Sequence, residues 1–204
     1  MLEHVPAWMG KLFSNVRAGH EKLAFMNAGV NPDTPMIDLS STAFAAGARL
    51  PDRFTADGDG VSPPLLWATL PEGTTSLALI VEDPDAPAPN PLVHALVLNI
   101  PADQGRIGEG KIAEDSPLAA LVGRNSYGAR AWLPPDPPTD HGNHDYVFQL
   151  FALNAPVETG DDPGRSDLIE AITGKVLGAG VLIGTYSRGE AAPSAPVATA
   201  LAPG

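Results

Sequence analysis

Cysteine is absent from this 204-residue chain. Its absence excludes disulfides, thiolate nucleophiles, and cysteine-ligated zinc or iron–sulfur centres. It also fits the reducing cytoplasm, which is the expected location. Basic residues are scarce, with 12 Lys and Arg against 24 Asp and Glu, a formal net charge of -12 and a pI of about 4.6. A field of that sign repels nucleic acid phosphates and anionic headgroups at long range. Nucleic acid is therefore excluded as a partner, and any phosphate-bearing ligand must be held by local donors. Long apolar runs are missing too. None approaches the roughly 20 residues that a membrane-spanning helix needs. The segment from Met1 to Leu23 has no uninterrupted apolar core, so no secretory signal is expected.

Proline and glycine are plentiful, at 22 and 21 residues. They favour turns and loops over long helices. The hydrophobic fraction of 44% is ordinary for a globular chain and suffices for a sizeable core. Three zones follow. Residues 1–30 read as an N-terminal helical extension. Val5, Trp8, Met9, Leu12, Phe13 and Val16 recur at helical spacing, and Leu23 and Met26 suggest a second short helix. The first helix is read as packing on its own domain, with a homodimer contact as the alternative. Its polar face carries too few basic residues for a membrane-surface helix. Residues 189–204 are rich in Ala and Pro without apolar periodicity, and read as a disordered tail.

Residues 31–188 read as a single strand-rich domain. Strands are predicted over Met36–Phe44, Leu77–Glu82, Leu92–Ile100, Tyr146–Leu153 and Val181–Tyr186. Both faces of Tyr146–Leu153 are mostly apolar, which predicts a central strand. One helix is predicted from Ser166 to about Leu177, burying Leu168, Ile169, Ile172 and Val176, with Gly178 as its stop. The fold class is mainly β, a β sandwich with peripheral helices, because the elements do not alternate as βαβ units.

The chemistry concentrates in four places. Glu82-Asp83-Pro84-Asp85-Ala86-Pro87 puts two carboxylates one residue apart at the end of an apolar strand, stiffened by proline. Its plain alternative is a solvated turn. His94 interrupts the apolar strand Leu92–Val97, where a satisfied core histidine is the plain alternative. Asp57-Gly58-Asp59-Gly60-Val61-Ser62-Pro63-Pro64-Leu65 is a third polar loop. The fourth, Pro134 to Tyr146, joins a proline-stiffened loop to His141, His144 and a central strand.

The order Ser62-Pro63-Pro64-Leu65, then Glu82 to Pro87, then His94, then Pro137-Pro138 and Gly142-x-His144-x-Tyr146, then Gly184-Thr185-Tyr186, resembles the phosphatidylethanolamine-binding protein family. Within it, the bacterial and archaeal Raf-kinase-inhibitor-like branch is the nearer match. The resemblance runs from about Ile37 to Arg188. It implies a β sandwich with a small pocket for phosphate-like anions. Asp83, Asp85 and Pro87 match the family's D-P-D-x-P motif. The bond before that proline is often cis in the family, so a cis Ala86–Pro87 bond is expected. His94 matches the pocket histidine. His144 and Tyr146 match the G-x-H-R-Y motif, and Asp136 falls on the pocket loop. There are departures. The family's arginine is Asp145 here, its W-x-H tryptophan is Leu92, and its loop glycine is Asp140.

The expected ligand-binding residues are therefore Asp83, Asp85, Pro87, His94, Asp136, His144 and Tyr146. Imidazolium, phenol and backbone N–H groups can hold a phosphate, while the carboxylates raise histidine titration or accept from an ammonium. No catalytic residue, cofactor or metal is expected. A serine hydrolase would need a G-x-S-x-G elbow, which neither Ser62 nor Ser126 supplies. His141-x-x-His144 lies on a loop, unlike the helical zinc motifs. Adjacent acids on one loop fit a glycosidase poorly. The chain reads as a non-catalytic binding protein for a small anionic or zwitterionic ligand. The alternative is an inhibitor of a kinase or hydrolase partner, acting through the pocket rim.

Overall fold

The computed structural model describes residues 17–118 and 121–188. The helix read over Val5–Val16 and the tail from residue 189 lie outside these residues. Seven strands build two antiparallel sheets among the described residues. One sheet has β1 (Asp38–Ser40), β2 (Leu65–Ala68) and β5 (Arg106–Ile107) in the order β1-β2-β5. The other has β3 (Ser76–Asp83), β4 (Leu92–Pro101), β6 (His144–Leu153) and β7 (Val176–Tyr186) in the order β4-β3-β6-β7. Two short helices accompany them, α1 (Ala24–Asn27) and α2 (Arg165–Ile172). The fold is mainly β, as expected. No helix among the described residues is long and apolar enough to cross a membrane.

The four-stranded sheet is buried on both faces, and side-chain alternation divides its residues between two cores. Leu77, Leu79 and Val81 of β3 and Tyr146, Phe148, Leu150 and Ala152 of β6 face the smaller sheet, where they meet Leu39, Leu65 and Trp67. Ala78, Ile80, Phe151 and Leu153 face the other way, onto Ala24 and Ala28 and onto Leu168 and Ile172 of α2. β6 lies between β3 and β7, so its reading as a central strand holds.

Two predicted boundaries are corrected. The strand over Met36–Phe44 shortens to Asp38–Ser40. The Ser41 hydroxyl accepts from the Ala43 N–H and donates to the Pro64 carbonyl, which turns the chain out of the sheet. The helix read to Leu177 ends at Ile172. Gly174, at φ +79°, breaks it, and Val176 joins β7 opposite Leu153. Gly178 is thus a strand residue facing Ala152, not a helix stop. A Cβ there would meet Pro71 Cγ at 2.6 Å and the Pro35 carbonyl at 3.0 Å, so glycine admits the neighbouring chain.

A buried ionic network fastens the N-terminal segment to the back of this sheet. Glu82 has no solvent exposure. One carboxylate oxygen pairs with Arg165 Nε at 2.5 Å; the other accepts from the Ala24 N–H at 2.7 Å and from Gln149 Nε2 at 2.8 Å. Gln149 Oε1 in turn accepts from the Phe25 N–H. The acid at the end of β3 therefore anchors α1, while its neighbour Asp83 faces the opposite side.

Candidate functional site

A cavity of about 270 Å³ opens where β3 ends, β6 begins and the proline loop crosses β4. Asp83, Pro87, His94, Asp136, His144 and Tyr146 line it, together with Leu92, Tyr127, Pro137 and Pro138. Alternation puts His144 and Tyr146 on the same face of β6 as Phe148. His94 reaches that face by an irregularity. Val81 pairs with Ala95 and Glu82 with Val93, leaving His94 as the extra residue of a β-bulge. Val93 packs in one core and Ala95 in the other, so the bulge turns His94 toward the cavity.

The proline loop is pinned to that bulge. The Leu133 N–H donates to the His94 carbonyl at 2.7 Å, and the Leu133 carbonyl lies 2.7 Å from His94 Nδ1. A carbonyl only accepts, so Nδ1 carries the proton. The ring packs edge-on against Tyr146, with centroids 5.0 Å apart, and also against Trp132. Trp132 is held in turn by its indole N–H on the Phe54 carbonyl.

A chain of buried polar contacts forms the second wall. His144 Nδ1 lies 2.7 Å from Asp83 Oδ2, and His144 Nε2 lies 2.6 Å from His141 Nδ1. Both nitrogens of His144 are thereby engaged by the protein. His141 is a site residue that sequence reasoning weighed only as a rival metal ligand. Its direct contact with His144 leaves no room for an ion between the two rings. The other oxygen of Asp83 accepts from the Asp85 N–H at 2.8 Å, an Asx-turn that shapes the loop.

Asp85 is not at the cavity. Its carboxylate turns outward, accepting from the Asp145 N–H at 2.8 Å and pairing with Arg17 Nη1 at 2.8 Å. The cis bond is also corrected, since no cis peptide occurs among the described residues. The Ala88 N–H donates to the Ala86 carbonyl at 2.8 Å, closing a γ-turn around Pro87. That ring closes only when the Ala86 carbonyl oxygen and the Pro87 Cα lie on the same side of the amide, which is the trans arrangement. Asp140, where the family's loop glycine was expected, has φ +64° and adopts the left-handed backbone that glycine would favour.

Asp136 sits on the rim and pairs with Arg188 Nη1. Arg188 also grips Asp57 through two bonds, and Asp57 accepts the Tyr186 hydroxyl at 2.6 Å. Arg188 holds the Asp57 carboxyl below its usual range, chiefly by hydrogen bonding. This joins the proline loop to the end of β7. Arg188 was not foreseen as a contributor, since nothing local marks an arginine beyond the last strand.

Two polar atoms at the cavity have no partner among the described residues: His94 Nε2 and the Tyr146 hydroxyl. Burial pushes His94 below its ordinary 6.5, outweighing the opposite pull of Asp83. Asp83 does pull the titration upward, as expected, but desolvation outweighs it and the net shift is downward. Burial likewise pushes Tyr146 well above the usual phenol value, so it keeps its proton. The cavity therefore presents a lone pair on His94 Nε2 beside an O–H on Tyr146.

Residues 40–187 match the family described as phosphatidylethanolamine-binding protein. A UPF0098 protein of Methanothermobacter thermautotrophicus is 38% identical over 154 residues, covering 75% of this chain and all of that relative. A UPF0098 protein of Aquifex aeolicus is 36% identical over 157 residues, covering 75% of this chain and 90% of the relative. Among solved structures, a phosphatidylethanolamine-binding protein homologue from Chlamydia trachomatis superposes with a TM-score of 0.68 at 31% identity, covering 76% of this chain and 99% of its own. An E. coli protein described as a member of the mammalian family shares the fold at a TM-score of 0.69 and 24% identity, covering 74% and 98%.

Proposed function

The chain belongs to the phosphatidylethanolamine-binding protein family, and we propose that it is a non-catalytic binding protein whose cavity takes a phosphate-like oxyanion, free or as a phospholipid headgroup. The observation that carries this reading is the pair of partnerless buried atoms, His94 Nε2 and Tyr146 Oη. Buried polar groups are nearly always hydrogen-bonded, so two such groups side by side in one cavity call for a ligand.

The donor–acceptor inventory narrows that ligand. Tyr146 offers a proton and neutral His94 offers a lone pair. A fully deprotonated oxyanion would set its own lone pairs against Nε2. A proton must come with the ligand or be taken up by His94. A P–OH supplies it in a phosphate or phosphomonoester, and an ammonium supplies it in an ethanolamine headgroup. His144 supports this arrangement without donating, because both of its nitrogens are engaged. Among the described residues, the lining contains no serine, threonine or lysine to act as a nucleophile. Its carboxylates there, Asp83 and Asp136, are engaged with His144 and Arg188. These features support binding rather than turnover. The cavity volume of about 270 Å³ suits a headgroup rather than acyl chains.

Titration calorimetry tests the reading with inorganic phosphate, phosphorylethanolamine and sulfate at pH 6.5, in two buffers of different ionisation enthalpy. Phosphate or phosphorylethanolamine should bind, and sulfate, which carries no proton at this pH, should bind far more weakly or draw a proton from the buffer. Vesicles of phosphatidylethanolamine separate a headgroup ligand from a free one. Equal binding of sulfate and phosphate without proton uptake, or no binding of any of them, would overturn the proposal.

A further inference from the structure

We propose that Arg17, which precedes the family-matched region, positions the ligand site by tying its two walls together, supplying the cation that Asp145 fails to supply. This rests on the reading of the cavity as an oxyanion site. The two walls are the loop Asp83–Pro87 and the segment His141–Asp145. They meet at successive positions, where Asp83 holds the His144 ring and Asp85 holds the Asp145 N–H. Arg17 spans both. Its Nη1 lies 2.8 Å from Asp85 Oδ1 on one wall. On the other, Nη2 donates to the His141 carbonyl at 3.3 Å and Nη1 to the Asn143 carbonyl at 3.4 Å.

The backbone that follows is stitched to the same loop. The Ala18 N–H donates to the Ala86 carbonyl at 3.1 Å and the Gly19 N–H to the Pro84 carbonyl at 2.9 Å. Residues 17–19 therefore lie along the outer side of the Asp83–Pro87 loop, of which Asp83, Ala86 and Pro87 line the cavity. Gly142, at φ +87°, lies between the two carbonyls that Arg17 reaches.

Electrostatics gives Arg17 its importance. Ligand atoms of Asp85, Asp145 and His20 lie within 4.8 Å of one another. Two carboxylates this close repel, and they sit on opposite walls. His20 Nε2 meets Asp145 Oδ2 at 3.2 Å, while Arg17 is the permanent cation. Both oxygens of Asp85 are already taken, by Arg17 and by the Asp145 N–H, so the cluster is closed by the protein's own guanidinium rather than arranged for a metal. The family motif has an arginine where this chain has Asp145. Here the acid faces away from the cavity, and the cation on Asp85 arrives from residue 17 instead. The side chain that sets the separation of Asp83 from His144 thus lies outside the segment that defines the family.

The test compares wild type, Arg17→Ala, Asp145→Arg and the double variant. Calorimetry reads affinity for inorganic phosphate and phosphorylethanolamine, and hydrogen exchange reads the Asp85 and Asp145 amides without ligand. Arg17→Ala should weaken binding about fivefold, the size expected when one partner of a part-exposed charge pair is removed, and should speed exchange at Asp145. Asp145→Arg alone should change affinity by less than about twofold, because Asp85 is already paired. In the double variant, the guanidinium introduced by Asp145→Arg lies within reach of Asp85, so affinity and protection should both return. Undiminished binding and protection in Arg17→Ala, or no recovery in the double variant, would overturn the proposal. If wild type binds neither probe, the ligand reading fails, and the amide exchange and its recovery still decide the role of Arg17.

Discussion

Tyr146→Phe separates a ligand-holding hydroxyl from a structural one, because the two predict stability changes of opposite sign. The Tyr146 side chain is wholly buried, and its hydroxyl has no partner among the described residues. A buried hydroxyl left unpaired costs about 1–3 kcal/mol. Water entering the cavity recovers part of that, so its removal should stabilise the unliganded protein by about 1 kcal/mol. For a chain of this size that raises Tm by about 2–4 °C. The phenylalanine ring keeps the edge-on contact with His94 and its place in the core that holds Phe148 and Leu150. Binding should move the other way. A hydrogen bond to a charged oxygen is worth about 1.5–3 kcal/mol, so phosphate affinity should fall about 10- to 150-fold. Differential scanning calorimetry without ligand and titration calorimetry with inorganic phosphate read the two effects on one preparation. A variant that loses stability yet binds phosphate as wild type does would refute the reasoning, because the hydroxyl would then serve the fold.

His94 should make stability depend on pH. Its folded value lies below the ordinary 6.5, so the unfolded chain takes up this proton first. Its stabilising effect is then complete above 6.5 and lost as pH falls below that value toward the folded one. Urea midpoints measured from pH 7.5 to 5 should decline over that window, less steeply in His94→Gln, and phosphate should oppose the decline by favouring a cationic ring. On the back of the sheet, Glu82→Ala strands Arg165, the Ala24 N–H and Gln149 at once. It should cost about 3 kcal/mol or more by urea denaturation, with accelerated exchange at the Ala24 amide. Gly178→Ala drives a Cβ to within 2.6 Å of Pro71 and should lose about 1–3 kcal/mol in a thermal melt, whereas a glycine that only stopped a helix would accept alanine at little cost.

Much of the fold is local in origin and was readable as such. Period-two alternation through Tyr146–Leu153 assigns Tyr146 and Phe148 to one face and Phe151 to the other, whatever the strand pairs with, and both cores use that division. The apolar run before Asp83 marks a buried strand by composition alone. The ordered motifs around Asp83, His94 and His144 pointed to one cavity. Tertiary pairing decided the rest. A bulge exists only relative to a partner, so the turn of His94 into the cavity followed from the register of β4 against β3. β2 and β5, at four and two residues, are too short to carry a period. The capture of Val176–Gly178 by β7 followed from the chance to pair with β6, which a helical reading of the same residues could not weigh. Asp83 and Asp85 look equivalent in sequence, yet one faces His144 and the other Arg17, a residue 68 positions away, so only the closed structure told them apart. Local pattern determines which face a side chain takes; the partner it meets there depends on contacts between distant segments, which no local pattern encodes.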